Sequence, residues 1–85
     1  MRILETAKFA RARKKLVDKG ELETLKAAIA ALAGEPSSGK KLHGEFADLR
    51  SFVYSARGQT RRLIYRWNAG EIVLFSFGPR QGIYK

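Results

Sequence analysis

The sequence predicts an α+β fold: a short N-terminal strand, a two-helix hairpin, then a three- to four-stranded antiparallel sheet with both helices packed on one face. Three observations lead there. Apolar residues recur at helical spacing only within the first 34 positions. From Leu49 onward the composition shifts from alanine and leucine to aromatic and β-branched residues. Turn signals at Gly58 and Gly70 then divide that second half into strand-length pieces.

The elements follow in order. "MRILE" sets Ile3 and Leu4 between charged residues and permits a short first strand. Thr6 can cap a helix through its hydroxyl, and Phe9, Ala12, Leu16 and Val17 then recur at helical spacing until Gly20, read as the residue just past the C-terminus. The opposite face of this helix carries Lys8, Arg11, Lys14, Lys15 and Lys19, a pattern that suits a solvated surface. In "ELETLKAAIAALAG", Leu22, Leu25, Ile29 and Leu32 mark one face of a second helix that Gly34 closes. "GEPSSGKKLHGEF" is a long loop inside one domain, rich in turn-forming residues.

Alternation in "LRSFVYS" separates Leu49, Ser51 and Val53 from Arg50, Phe52 and Tyr54. In "RRLIYRW" it separates Leu63, Tyr65 and Trp67, read as core aromatics with their leucine, from Arg62, Ile64 and Arg66. "ARGQT" and "NAG" are turns, and the nearly continuous apolar "IVLFSF" predicts a last strand that is central or buried on both faces.

Composition narrows the chemistry. Eighty-five residues with 45% hydrophobic content suit one domain spanning 1–85 with a single modest core. The chain has no cysteine and one histidine, so thiolate sites and disulfides are excluded, and no cluster has the ligand count of a zinc or calcium site. No metal or other cofactor is expected. A formal net charge of +9 points to a polyanionic partner: nucleic acid, an anionic membrane or an acidic protein. No apolar run approaches the length of a bilayer span, so the expectation is a soluble, cytoplasmic protein without a membrane partner.

If the strands form a meander, Arg50, Arg62, Arg66, Arg80 and Tyr84 are brought toward one another, and a sheet face could gather several guanidiniums and a phenol. Arginine keeps its charge and binds phosphate through a planar fork of donors. Single arginines on strands are equally often solvated or cross-strand partners, so composition and spacing leave both readings open.

The pieces "KLHG", "RRLIYRW" followed by "EIVLFSFG", and "GPRQGIY" resemble, in order and spacing, the RelE/ParE superfamily of toxins from toxin–antitoxin systems. Gly78, Arg80 and Tyr84 fall at the spacing of that family's tail, and Arg62 to Tyr65 fall on its central-strand motif. The resemblance to the RelE and YoeB branch implies a metal-independent, ribosome-dependent mRNA endonuclease. In it the ribose 2′-hydroxyl attacks the adjacent phosphate, leaving a 2′,3′-cyclic phosphate and a free 5′-hydroxyl.

By that resemblance Arg62, Arg80, Tyr84 and Arg50 are the candidate catalytic residues, with the arginines stabilising charge on the phosphate oxygens. Lys40, Lys41, Arg57, Arg61 and Lys85 are candidates for RNA contact; Lys40 and Lys41 equally suit a solvated loop. The implied partners are a cognate antitoxin, the ribosome with its mRNA, and operator DNA reached through the antitoxin. Two departures matter. No histidine precedes Tyr84, and Phe52 stands where relatives can carry a catalytic lysine, so the general base is unassigned. His43 reads as a loop residue. The alternative is a ParE-like toxin that poisons DNA gyrase without cutting RNA.

Overall fold

Why the chain leaves its first strand where it does is decided at Thr6. In the computed structural model, which describes residues 1–79, the Thr6 amide donates to the Leu74 carbonyl at 3.0 Å, ending strand β1 (Arg2–Glu5). Its hydroxyl accepts from the Phe9 amide at 3.1 Å and thereby caps helix α1 (Ala7–Lys14), satisfying a donor the helix itself cannot.

Helix α1 is shorter than the sequence predicts. Gly20 does not terminate it but lies in the first turn of α2 (Lys19–Gly34), whose cap is Asp18. The Asp18 carboxylate accepts from the Glu21 amide at 2.9 Å, and that aspartate-to-glutamate spacing overrides the glycine as the local signal. Val17, left in the connection, is 94% exposed and takes no part in the apolar face. Of the face predicted for α2, Leu25 and Leu32 are buried and Leu22 and Ile29 half-buried, with Ala28 joining the buried set.

Beyond α2, a 3-10 turn at Pro36–Ser38 leads to a two-residue strand β2 (Lys40–Lys41), and a second 3-10 turn at Gly44–Phe46 precedes β3 (Arg50–Ala56). Strand β4 (Gln59–Asn68) and strand β5 (Glu71–Pro79) complete the sheet. The sequence reading left β2 within the loop. The sheet order is β1-β5-β4-β3-β2, antiparallel except that β1 runs parallel to β5, with Ile3 opposite Ile72. The last strand is internal, as its apolar run predicts.

Arg57 and Gly58 form the two-residue turn between β3 and β4 with φ of 54° and 73°. Two positive φ values match the right-handed twist of a hairpin. Arg57 is held there by an ion pair with Asp18.

Helix α1 packs over β5 and α2 over β3, closing a core of Phe9, Leu25, Ala28, Leu32, Leu63, Tyr65, Ile72 and Leu74. Phe9 meets Phe77 edge-on, ring centroids 5.1 Å apart at 64°. Each fully buried large side chain contributes about 1.5–3 kcal/mol. Trp67 departs from expectation: it is 36% exposed, near the end of β4, with the Arg50 guanidinium over its ring. No helix among the described residues is long and apolar enough to cross a membrane.

Tyr65 is fully buried, and its phenol donates to the Pro36 carbonyl at 2.6 Å and accepts from the Gly39 amide at 3.0 Å. Burial pushes its pKa up, an effect that the Gly39 hydrogen bond and the Arg50 charge partly offset. Tyr54 is pushed up to about 12, chiefly by burial, with Arg61 lowering and Glu21 raising it.

Replacing Tyr65 with phenylalanine strands the Gly39 amide and should lower unfolding stability by about 1–3 kcal/mol in urea titrations; an unchanged midpoint would refute the clamp. Both phenols titrate higher in the folded state, so the stability they confer is intact below pH of about 10, the unfolded value. It is lost as the pH rises toward their folded values, near 12 for Tyr54. Melting temperature should therefore fall across that alkaline window, and Tyr54→Phe should flatten the fall.

Candidate phosphate-binding face

Strand β4 sends alternate residues to opposite sides of the sheet, and the side away from the core takes Arg62, Ile64 and Arg66. Cross-strand register sets Ser51 on β3 and Ser76 on β5 to either side of Ile64. All three are buried, so a small apolar and hydroxyl floor separates the two arginines.

The pairing of β4 with β5 shifts at this point. Ile64 opposes Ser76 while Tyr65 opposes Leu74, leaving Phe75 as an extra residue in a bulge. The Arg66 guanidinium lies over the Phe75 ring, 5.6 Å from its centroid. Arg66 Nε is buried without a hydrogen-bond partner among the described residues, and so is Ser76 Oγ. Arg62 donates from Nη1 to Ser51 Oγ at 3.4 Å, a long contact that leaves most of its fork unspent.

Other arginines nearby are committed elsewhere. Arg61 pairs with Glu21 at 3.0 Å and donates to Gln59 at 2.8 Å, Arg57 pairs with Asp18, and Arg13 with Glu5 at 2.7 Å. Neither Arg62 nor Arg66 has a carboxylate partner among the described residues. Unfilled donor capacity at buried or half-buried cations is what an incoming oxyanion would satisfy.

Arg50 does not join this face. It opposes Tyr65 on the core-facing parity, donates to the Gly39 and Ser37 carbonyls at 2.9 and 3.3 Å, and covers one face of Trp67. Its guanidinium fastens the loop after α2. Lys40 and Lys41 are exposed on the edge strand; Lys40, opposite Ser51, shares the parity of Arg62. His43 is an exposed loop residue. Arg80, Tyr84 and Lys85 lie outside the described residues. Of the sequence-predicted residues, then, Arg62 is on this face, Lys40 has its parity at the edge, and Arg57, Arg61 and Arg50 are tied to other parts of the fold.

Ser51, Ser76 and Phe75 are the neighbours that sequence reasoning did not single out, whereas the alternation of β4 by itself places Arg66 on the face of Arg62. The one available signal was Ser76, a hydroxyl interrupting the apolar run "IVLFSF". The two described tyrosines of the sheet are held protonated by burial, so neither is a proton acceptor near neutral pH.

The arrangement gathers two arginines, two serine hydroxyls and an aromatic ring from three adjacent strands, a set of groups whose chemistry suits an oxyanion. No curated protein and no solved structure matches the chain. A family model does match it, over residues 3–85: the ParE-like toxin of type II bacterial toxin–antitoxin systems. That match spans nearly the whole sequence, and the chain belongs to this family of toxins.

Proposed function

We propose that the toxin acts as a metal-independent endoribonuclease on ribosome-bound mRNA. Membership in the family implies a cognate antitoxin as partner; the reaction and its RNA substrate are our reading. The observation that carries it is the pair Arg62 and Arg66, which among the described residues have no carboxylate partner and include a buried Nε donor without an acceptor, on the sheet face opposite the helix-packed core.

In this reading the arginines hold the scissile phosphate and stabilise the charge that builds on its non-bridging oxygens as the 2′-hydroxyl attacks in line. The 5′-oxygen leaves with a proton, and a 2′,3′-cyclic phosphate remains. Phosphate recognition by these guanidiniums is favoured because Ile64, Ser51 and Ser76 beneath them are buried, which strengthens charge–charge attraction. The long contact of Arg62 with Ser51 leaves most of its fork unspent among the described residues and open to phosphate oxygens. Arg80 and Tyr84 are proposed to complete the site, and the antitoxin's contribution is to cover it.

A second reading, gyrase poisoning without nuclease activity, is favoured by one observation. The hydrogen bonds of Arg62 and Arg66 among the described residues include no carboxylate or imidazole that could take a proton.

Controlled expression followed by mapping of message 5′ ends separates the two. Cuts within translated codons should appear with the wild-type chain and fall at least about a hundredfold in Arg62→Ala and Arg66→Ala, the scale of losing one preorganised donor to an oxyanion. Growth arrest with intact messages and an induced DNA-damage response would transfer the assignment to gyrase.

A further inference from the structure

We propose that the cleft at the Trp67 end of β4 is a subsite for a guanine base of single-stranded RNA, adjoining the Arg66 end of the phosphate-binding face. The cleft holds about 240 Å³ and is lined by Lys41, Asp48, Arg50, Arg66, Trp67 and Asn68 among others. Drug-sized ligands occupy pockets of about 300–1,000 Å³, so this one suits a single base.

Its chemistry is that of a nucleotide, not of an anion alone. Trp67 lies 36% exposed at the cleft with the Arg50 guanidinium over its ring, 5.4 Å from the centroid, and exposed aromatic and guanidinium planes are what unstacked bases stack on. Arg50 is pinned by the two carbonyls of the preceding loop, so the platform exists before any ligand arrives. Arg66 lines the same cleft and brings a guanidinium charge beside which a phosphate joined to the bound base can sit.

Asp48 selects the base. A carboxylate accepts only, through two adjacent oxygens. Guanine presents two adjacent donors on its Watson–Crick edge, the N1–H and the 2-amino group. Adenine and cytosine each place a ring acceptor beside their amino group, and uracil offers one N–H between two carbonyls. The loop that carries Asp48 is tied on both sides, by the Leu49 amide to the Phe46 carbonyl at 2.9 Å and the Leu42 amide to the Leu49 carbonyl at 3.0 Å. An acidic peptide fits less well, because Asp48 would repel it and the aromatic surface would go unused.

The subsite rests on the RNA reading for its biological substrate, but its binding can be measured separately. Trp67 is the single tryptophan of the chain, so its fluorescence reports directly on the cleft. Titration of the purified chain with GMP should quench that emission saturably, at least about tenfold tighter than AMP, CMP or UMP. Asp48→Asn, a conservative change at an exposed position, should abolish the preference for GMP while leaving the weaker response to the other nucleotides. Equal responses to all four nucleotides, no quenching, or displacement of GMP by a polyglutamate peptide that itself binds more tightly would each overturn the proposal. Selective GMP binding with no cut messages in cells would remove the nuclease reading and leave the subsite. Cut messages whose base distribution is the same in wild type and Asp48→Asn would do the reverse.

Discussion

The phenol of Tyr65 ties the middle of the sheet to the loop that follows the helices. Its ring sits in the core on the central strand, and its oxygen reaches past the core to the Pro36 carbonyl and the Gly39 amide. Much else follows from those two hydrogen bonds. A Cβ at position 39 would lie 2.3 Å from the phenol oxygen, so only glycine permits the approach. With Gly39 in place the chain runs directly into β2, and the Ser37 and Gly39 carbonyls face the Arg50 guanidinium. Arg50 then stacks on Trp67. One buried hydroxyl thus organises the edge of the sheet and the platform at its end.

A second constraint is the distribution of charge. With a net charge of +9, this domain must keep its cations apart or give them partners. The basic side of α1 faces water, where screening makes repulsion cheap. Arg13, Arg57 and Arg61 have carboxylates, and those pairs link α1 to β1, and the β3–β4 turn and β4 to the start of α2. The exposed pairs among these, those of Arg13 and Arg57, add little stability each, about 0–1 kcal/mol, while the Arg61–Glu21 pair is half-buried at the helix–sheet seam. Among the described residues, Arg62 and Arg66, on the opposite face, have no carboxylate partner. A protein stabilised mainly by its core can tolerate that arrangement, and a polyanionic ligand or an acidic partner segment can exploit it.

The bulge at Phe75 connects these themes. It keeps Ile72, Leu74 and Phe77 directed at the helices despite an odd spacing, and it leaves Phe75 beneath the Arg66 guanidinium. A regular strand would have sent Phe77 to the other face and removed the edge-on contact with Phe9. The same irregularity therefore serves the core and the candidate site.

The sequence by itself determined the elements with local causes: the Thr6 cap, the apolar face of α2, the turns at Gly58 and Gly70, and the alternation within β3 and β4. Those features depend on residues a few positions apart, so a linear reading reaches them. It also held a clue to Arg50, which shares parity with Phe52 and Tyr54 and so belongs on their side of the sheet. What only the tertiary structure decided was relative placement. Which face of β3 aligns with which face of β4, the parallel docking of β1 on β5, the extra residue at Phe75 and the start of α2 at Asp18 all depend on pairings between distant segments. Register between strands is set by how the whole apolar surface closes, and no local pattern encodes that closure. For that reason the shared face of Arg62 and Arg66 was legible in the sequence, whereas the buried Ser76, the bulge at Phe75 and the Trp67 cleft emerged only once the strands were paired.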